Sequence, residues 1–195
     1  MNRRQALKKI SLTLGYTAVI PSAFSILQSC KTKVNIWVPQ FFTSDEAVVI
    51  KNLVDLILPT TKDSPGALDV NVPEFIDLYA LKVYDSEKAI EYRLGLQGII
   101  QELNIPETGV KVLKREDFDK LLSKYLRATK EEQKQFRQSK NIVFEALMEL
   151  RGQSIWAYKT SEDIGENVLA YDPIPGTQKG CIDLNEATGG KAWSL

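Results

Sequence analysis

Residues 43–58, TSDEAVVIKNLVDLIL, carry the clearest structural instruction in the chain. Thr43 and Glu46 stand three apart. At that spacing a threonine hydroxyl caps the first turn of a helix while the glutamate carboxylate reaches back to the threonine amide. Behind this start, Val49, Ile50, Leu53, Val54, Ile57 and Leu58 recur at the intervals that place them on one helical face. A helix is predicted over 44–58. Pro59 ends it, because proline has no amide hydrogen and its ring collides with the preceding turn.

Downstream, the polar connection 60–72 holds Asp63-Ser64-Pro65-Gly66, a turn-forming combination in which Asp63 reads as a turn former rather than a metal ligand. Pro73 suits the first turn of a second helix, whose predicted buried face is Phe75, Ile76, Tyr79, Ala80 and Val83. A third helix is predicted over 87–103 with Ile90, Leu94, Ile99 and Leu103 inward. Gly95 and Gly98 inside it each cost about 1 kcal/mol relative to alanine, which predicts close backbone packing at that face. Phe118, Leu121, Leu122, Tyr125 and Leu126 form a further helical stripe. Thr129 and Glu132 repeat the capping spacing and open a long helical stretch through Phe136, Val143, Leu147 and Leu150, with a kink expected near Arg151-Gly152-Gln153.

Beyond Trp156 and Tyr158 the character changes. Ser161-Glu162-Asp163 can cap one short turn, but Gly165, Pro173, Pro175, Gly176, Gly180, Gly189 and Gly190 argue against long regular structure. No alternating strand pattern of useful length and no internal repeat occurs. The expected fold class is all-α: a small helical bundle with an irregular C-terminal arm wrapped over it.

Upstream of the first helix the residues read as an address. Arg3, Arg4, Lys8 and Lys9 form a basic start without an acid, residues 10–20 are modestly apolar, and Leu27-Gln28-Ser29-Cys30 follows Pro21. Asn2-Arg3-Arg4-Gln5-Ala6-Leu7-Lys8 resembles a twin-arginine export motif through Arg3, Arg4, Leu7 and Lys8, with Asn2 and Ala6 at positions where serine or threonine and phenylalanine are usual. An ordinary basic start of a general secretory signal is the alternative reading. Pro21 and the polar insertions leave too short an apolar run for a permanent span. Leu27-Gln28-Ser29-Cys30 resembles a lipobox, in which Cys30 is acylated and becomes the mature N-terminus. The expected organisation is a signal over 1–29, a tether over 30–40 and one helical domain over 41–195, with Phe41 and Phe42 packing on that domain.

Composition narrows the function. Without residues 1–29, 21 basic residues face 25 acidic ones, a net charge of about −4, and the cations are scattered rather than gathered in a stripe; this argues against nucleic acid. The sequence has no histidine, which excludes a Ser-His-Asp triad, a Cys-His dyad and histidine-ligated zinc or haem. With Cys30 acylated, Cys181 is the one remaining thiol, so no internal disulfide is expected. It reads as a small buried apolar residue, with an intersubunit disulfide as the alternative.

Residues 57–67 (ILPTTKDSPGA) and 72–77 (VPEFID) resemble the first signature of the gluconate 2-dehydrogenase subunit 3 family. Residues 92–96 (YRLGL) match its middle segment, and 160–165 (TSEDIG), 169–176 (LAYDPIPG) and Gly180-Cys181 its last; the likeness covers roughly 41–184. The resemblance implies a partner rather than a reaction. Members accompany a large FAD-dependent sugar or sugar-acid dehydrogenase of the glucose-methanol-choline type, often with a c-type cytochrome. The small subunit carries the twin-arginine signal for a partner that has none, which implies a periplasmic, membrane-anchored lipoprotein. The twin-arginine route transports folded proteins, which suits a partner that must bind FAD before crossing.

No Gly-x-Gly-x-x-Gly follows a strand, so this chain is not expected to hold FAD itself, and no cofactor or metal is expected in it; the resemblance implies FAD in the partner. Glu74 and Asp77, three apart on one helix edge, could form an acid-base pair, but such residues more often cap or solvate a helix start. The arm from Ser161 to Cys181 is the candidate docking surface: Ser161, Glu162, Tyr171, Pro173, Pro175, Gly176 and Cys181, with Trp156 and Tyr158 as aromatic anchors. The competing reading is that the arm closes the bundle and buries those rings. Two other functions compete with a noncatalytic subunit: a free-standing lipoprotein that binds carbohydrate or another envelope component, and a hydrolase using Glu74, Asp77 or Asp172.

Overall fold

The structure, a computed structural model, describes residues 37–105, 109–174, 176 and 180–194. Arg3, Arg4, Leu7, Lys8, Cys30, the tether through residue 36 and Pro175 lie outside the described residues. Helix α1 spans Ser44–Ile57 and opens with the expected reciprocal cap: the Glu46 amide donates to the Thr43 hydroxyl at 3.3 Å, and the Thr43 amide to Glu46 Oε2 at 2.8 Å. Val49, Ile50, Leu53 and Val54 are fully buried. At about 1.5–3 kcal/mol for each such side chain, this one face contributes on the order of 10 kcal/mol before chain entropy is charged against it.

Helix α2 (Val72–Val83) starts from Asn71 in the left-handed region, at φ 57°, with Pro73 in its first turn. Its buried residues are Val72, Pro73, Ile76, Asp77 and Ala80. Ile76 and Ala80 face inward as expected, but Phe75 and Val83 are exposed and Tyr79 half-buried. The helix is rotated so that Asp77 points inward, toward backbone amides described below.

Helix α3 (Ser86–Glu102) is capped by Asp85, which accepts from the Lys88 amide at 2.8 Å. Its inner face is Tyr92, Gly95, Leu96 and Ile99, while Ile90 and Leu94 are 62% and 50% exposed, against expectation. The glycines explain the difference. A Cβ on Gly95 would lie 2.8 Å from the Ala146 Cβ, and one on Gly98 3.2 Å from Ile142 Cγ2. The Gly95 edge is therefore drawn against the facing helix, and the aliphatic edge turns to solvent.

After a 3-10 turn (Val110–Val112), α4 (Arg115–Tyr125) buries Phe118, Leu121, Leu122 and Tyr125 as its stripe predicts. Two separate helices replace the single stretch expected from Thr129 onward. Helix α5 (Lys130–Gln138) ends at Ser139, Lys140 takes φ 51°, and α6 (Ile142–Lys159) restarts with Asn141 accepting from the Phe144 amide at 2.9 Å. Helix α6 runs without interruption through Arg151-Gly152-Gln153, where a kink was expected. Helix α1 packs against α2, α3, α4 and α6, and α6 lies along both α2 and α3.

The C-terminal arm contains a π-helical turn (Ile164–Val168) and a short helix α7 (Leu184–Thr188) capped by Asp183. Gly165 sits inside that turn, 3.2 Å from Ser194 Oγ measured from its notional Cβ. The arm folds back on itself: the Ala170 amide donates to Ala192 O and the Ser194 amide to Ala170 O, both at 2.8 Å, forming an isolated parallel bridge. Among the described residues there is no strand, so the fold is all-α. No helix among them is long and apolar enough to cross a membrane.

Candidate interaction surface

The connection between α1 and α2 is a folded loop organised by Asp69. Its Oδ2 accepts from the Thr60 hydroxyl at 2.6 Å and from the Gly66 amide at 2.7 Å. These bonds, the hydroxyl first, hold the Asp69 carboxyl below its ordinary range, so it stays ionised in mild acid. The Ala67 amide donates to Leu58 O at 2.8 Å and closes the base of the loop. Only glycine fits at position 66, since a Cβ there would lie 2.5 Å from the Thr60 amide nitrogen. The Ser64 amide bonds the Thr61 hydroxyl at 3.1 Å, and Asp63 is exposed in the turn this makes. Tyr158 reaches across from α6 and donates to Pro65 O at 2.7 Å.

Asp77 does a different job from either expected at sequence level. It is 3% exposed, and its carboxylate accepts three backbone amides: Gln40 at 2.8 Å and Phe41 and Phe42 at 2.9 Å. Hydrogen bonds to a charged acceptor contribute about 1.5–3 kcal/mol each. Arg93 adds a second grip. Its guanidinium donates to Phe41 O, lies 4.3 Å from the Phe41 ring centre, and approaches Glu46 Oε2 at 3.5 Å. Phe41 and Phe42 are buried, as expected. Residues 40–42 are therefore clamped to α2 and α3.

An aromatic series runs from this clamp to the surface. Phe42 stacks on Tyr92 at 6.1 Å, Tyr92 meets Tyr84 at 5.4 Å, Tyr84 meets Tyr79 at 5.7 Å, and Trp156 packs edge-on against Tyr79 and Phe75 at 5.3 and 5.2 Å. Tyr92 donates to Gln153 Oε1 at 2.9 Å, and Gln153 donates to the Tyr84 hydroxyl. Burial first, then the neighbouring Glu149 carboxylate, pushes the Tyr84 hydroxyl up to about 12. Burial raises Tyr92 well above its ordinary value in the same direction.

At the outer end of this series Trp156 is 43% exposed, beside exposed Phe75 and Leu78. A groove of about 330 Å³ opens here, lined by residues that include Val70, Phe75, Leu78 and Ala157. Val70, Asn71 and Ser161 also line a neighbouring depression of about 410 Å³, whose wall carries Asp69, Glu162, Asp163 and Glu166. Sharing Val70, Asn71 and Ser161, the two make one trough, apolar on the Phe75 side and acidic on the Glu162 side. None of the residues lining either part is basic. Glu74 lines the apolar part, and its Oε2 is buried without a hydrogen-bond partner.

Of the docking residues suggested by sequence, Trp156, Ser161 and Glu162 therefore come together around this trough, with Ser161 and Glu162 in its wall. Tyr158 is turned to the Pro65 carbonyl. Tyr171, Pro173 and Gly176 are exposed along the arm, with Ile174 between them at 85% exposure. Cys181 is a free, exposed thiol, not the buried apolar residue expected. Its described neighbours Gly180, Ile182 and Asp183 are exposed as well. Among the described residues no group of histidine, cysteine and carboxylate side chains is arranged to hold a metal ion. Sequence reading missed Phe75, Leu78, Glu74 and Glu166 as members of the trough. The spacing of Phe75 and Leu78, beside an inward Asp77, was the signal that could have found them.

The family model of gluconate 2-dehydrogenase subunit 3 matches residues 44–176. The chain belongs to this family. Searches of curated proteins and of solved structures gave no match. The subunit 3 match begins at α1 and includes the Asp69 loop, the Asp77 and Arg93 side of the clamp but not residues 40–42, α6 and the trough wall from Ser161 to Asn167. Membership places the chain among the subunits of dehydrogenase complexes.

Proposed function

We propose that this subunit 3 protein is a noncatalytic small subunit that carries a flavin-dependent sugar or sugar-acid dehydrogenase across the inner membrane and holds it at the periplasmic face. The observation that carries the reading is the family match over most of the helical domain. Arg3, Arg4, Leu7 and Lys8 supply the twin-arginine export signal, and acylated Cys30 the anchor. FAD and the chemistry belong to the partner of glucose-methanol-choline type, and a c-type cytochrome takes the electrons. The clamp fits a carrier. A leader that draws a folded cargo pulls on the chain at residues 40–42, where Asp77 and Arg93 fasten it to two helices. The exposed rings of Trp156 and Tyr171 supply anchors of the kind that dominate protein interfaces.

The test is localisation. With Arg3 and Arg4 both changed to lysine, this chain and the flavoprotein accumulate together in the cytoplasm. A flavoprotein that still reaches the periplasmic side at the normal level removes the carrier role. Mild detergent extraction of the wild-type chain yields a yellow complex; a colourless monomer favours the free-standing lipoprotein instead.

A further inference from the structure

We infer that the trough between α2 and the Ser161–Asn167 turn is the seat for a lysine- or arginine-bearing apolar segment of the catalytic subunit. This rests on the carrier reading above and adds to it the place and the chemistry of docking. Five acids line the trough, Asp69, Glu74, Glu162, Asp163 and Glu166, with no basic residue among them. Asp69 accepts from the Thr60 hydroxyl and the Gly66 amide, which favour its ionised form, and Asp163 Oδ1 accepts from Asn167 Nδ2 at 2.9 Å. Fields of one sign in a concave, partly apolar wall steer and retain a partner of the opposite sign. The same field repels phosphate backbones and anionic lipid headgroups, so a nucleic acid or a membrane surface does not fit here.

The apolar side decides between a simple cation and a peptide segment. Val70, Phe75, Leu78 and Ala157 line it, and Trp156 packs on Phe75 beside it. An apolar side chain of the partner displaces water from these groups, while its basic neighbour meets the acidic wall. Glu74 brings a carboxylate into the apolar part. Its Oε2 is buried and unpaired, a costly state for a carboxylate oxygen. A small rotation of the Glu74 side chain offers that oxygen to an incoming ammonium or guanidinium group. Aromatic side chains such as Phe75 and Trp156 in a pocket from which water is excluded are also the residues that contribute most to an interface.

The experiment uses the full-length chain, tagged, and the flavin-containing dehydrogenase subunit that purifies with it. The affinity of the separated pair is measured by titration at low and high salt. The triple variant Glu74→Gln, Glu162→Gln, Glu166→Gln binds at least about tenfold more weakly than wild type, and its salt dependence is shallower. Phe75→Ser gives a similar loss without a change in salt dependence. A control triple on other surfaces, Glu87→Gln, Glu116→Gln, Glu131→Gln, leaves affinity unchanged. Circular dichroism of each variant confirms that the helices persist. If the wild-type pair forms and the trough triple binds equally tightly with the same salt dependence, the docking site is wrong while the carrier reading stands. If no flavin-containing subunit purifies with the wild-type chain, both fall.

Discussion

Replacing Asp77 by alanine removes the carboxylate that holds the amides of Gln40, Phe41 and Phe42 at 2.8–2.9 Å. Three hydrogen bonds to a charged acceptor set a ceiling of about 4.5–9 kcal/mol. The full amount is not expected. The segment that loses its acceptor lies at the start of the domain, and it can peel away and be rehydrated instead of staying buried with unpaired amides. Peeling exposes Phe41 and Phe42, each worth about 1.5–3 kcal/mol when buried. Arg93 still holds Phe41 O and opposes it. The cheaper of these outcomes puts the loss for Asp77→Ala at about 3–5 kcal/mol, and Asp77→Asn, which keeps one acceptor oxygen, at roughly half of that. Urea denaturation of the soluble chain lacking residues 1–30 measures the loss. Chymotrypsin then reports where it falls: Phe41 and Phe42 resist cleavage in the wild type and become early sites of cutting in Asp77→Ala. A loss under about 1 kcal/mol with these sites still protected would refute the clamp.

Three further perturbations test other parts of the structure. Gly95→Ala puts a Cβ 2.8 Å from the Ala146 Cβ; overpacking of about 1–3 kcal/mol outweighs a helix-propensity gain of about 1 kcal/mol, and a double-mutant cycle with Ala146→Gly shows favourable coupling. Lys140→Gly relieves the left-handed backbone at φ 51° and leaves stability equal to or up to about 1 kcal/mol above the wild type, whereas a strand of continuous helix through 139–141 would make glycine there destabilising. The tyrosines fix the alkaline limit. Because the folded Tyr84 hydroxyl titrates near 12 rather than 10.0, the unfolded chain loses its proton first, so stability is fully present below about pH 10 and falls as pH rises toward 12. Tyr92 shifts in the same direction. Denaturation midpoints across that range fall less steeply in Tyr84→Phe than in the wild type.

Local signals in the sequence were reliable where the physics is local. The caps at Thr43 and Thr129 and the Phe118 stripe need only neighbours three or four residues away; the caps stand as read, and so does the stripe up to Tyr125, with Leu126 half-buried at the helix end. Faces chosen by distant partners were not legible. In α3 both the Ile90–Leu94 edge and the Tyr92–Leu96–Ile99 edge are apolar enough to be buried. The choice is made by Ala146, which needs the glycine side against it. Asp77 looks like a solvated helix acid until residues 35 to 37 positions earlier bring their amides to it. The break at Lys140 was missed because Gln138, Ser139 and Lys140 all tolerate helix. Asn141, a good cap followed by Ile142 and Val143, was the available clue.

The site divides the same way. Trp156, Ser161 and Glu162 were legible as a docking candidate because they begin an irregular arm after a long helix. Phe75 and Glu74 were not, since their helix was expected to face the other way. Cys181 was read as buried from its residue type alone, and the structure leaves it in solvent. Tyr158 carries a warning in the opposite direction: an aromatic at the start of the arm is used to fasten the Asp69 loop, through Pro65.

The most direct measurement is the flavin content and sugar-oxidising activity of the chain in its two states, extracted in mild detergent with whatever it holds and then purified alone. The account predicts flavin and turnover in the first preparation and neither in the second. A mature chain that, by itself, retains FAD or oxidises a sugar would contradict it.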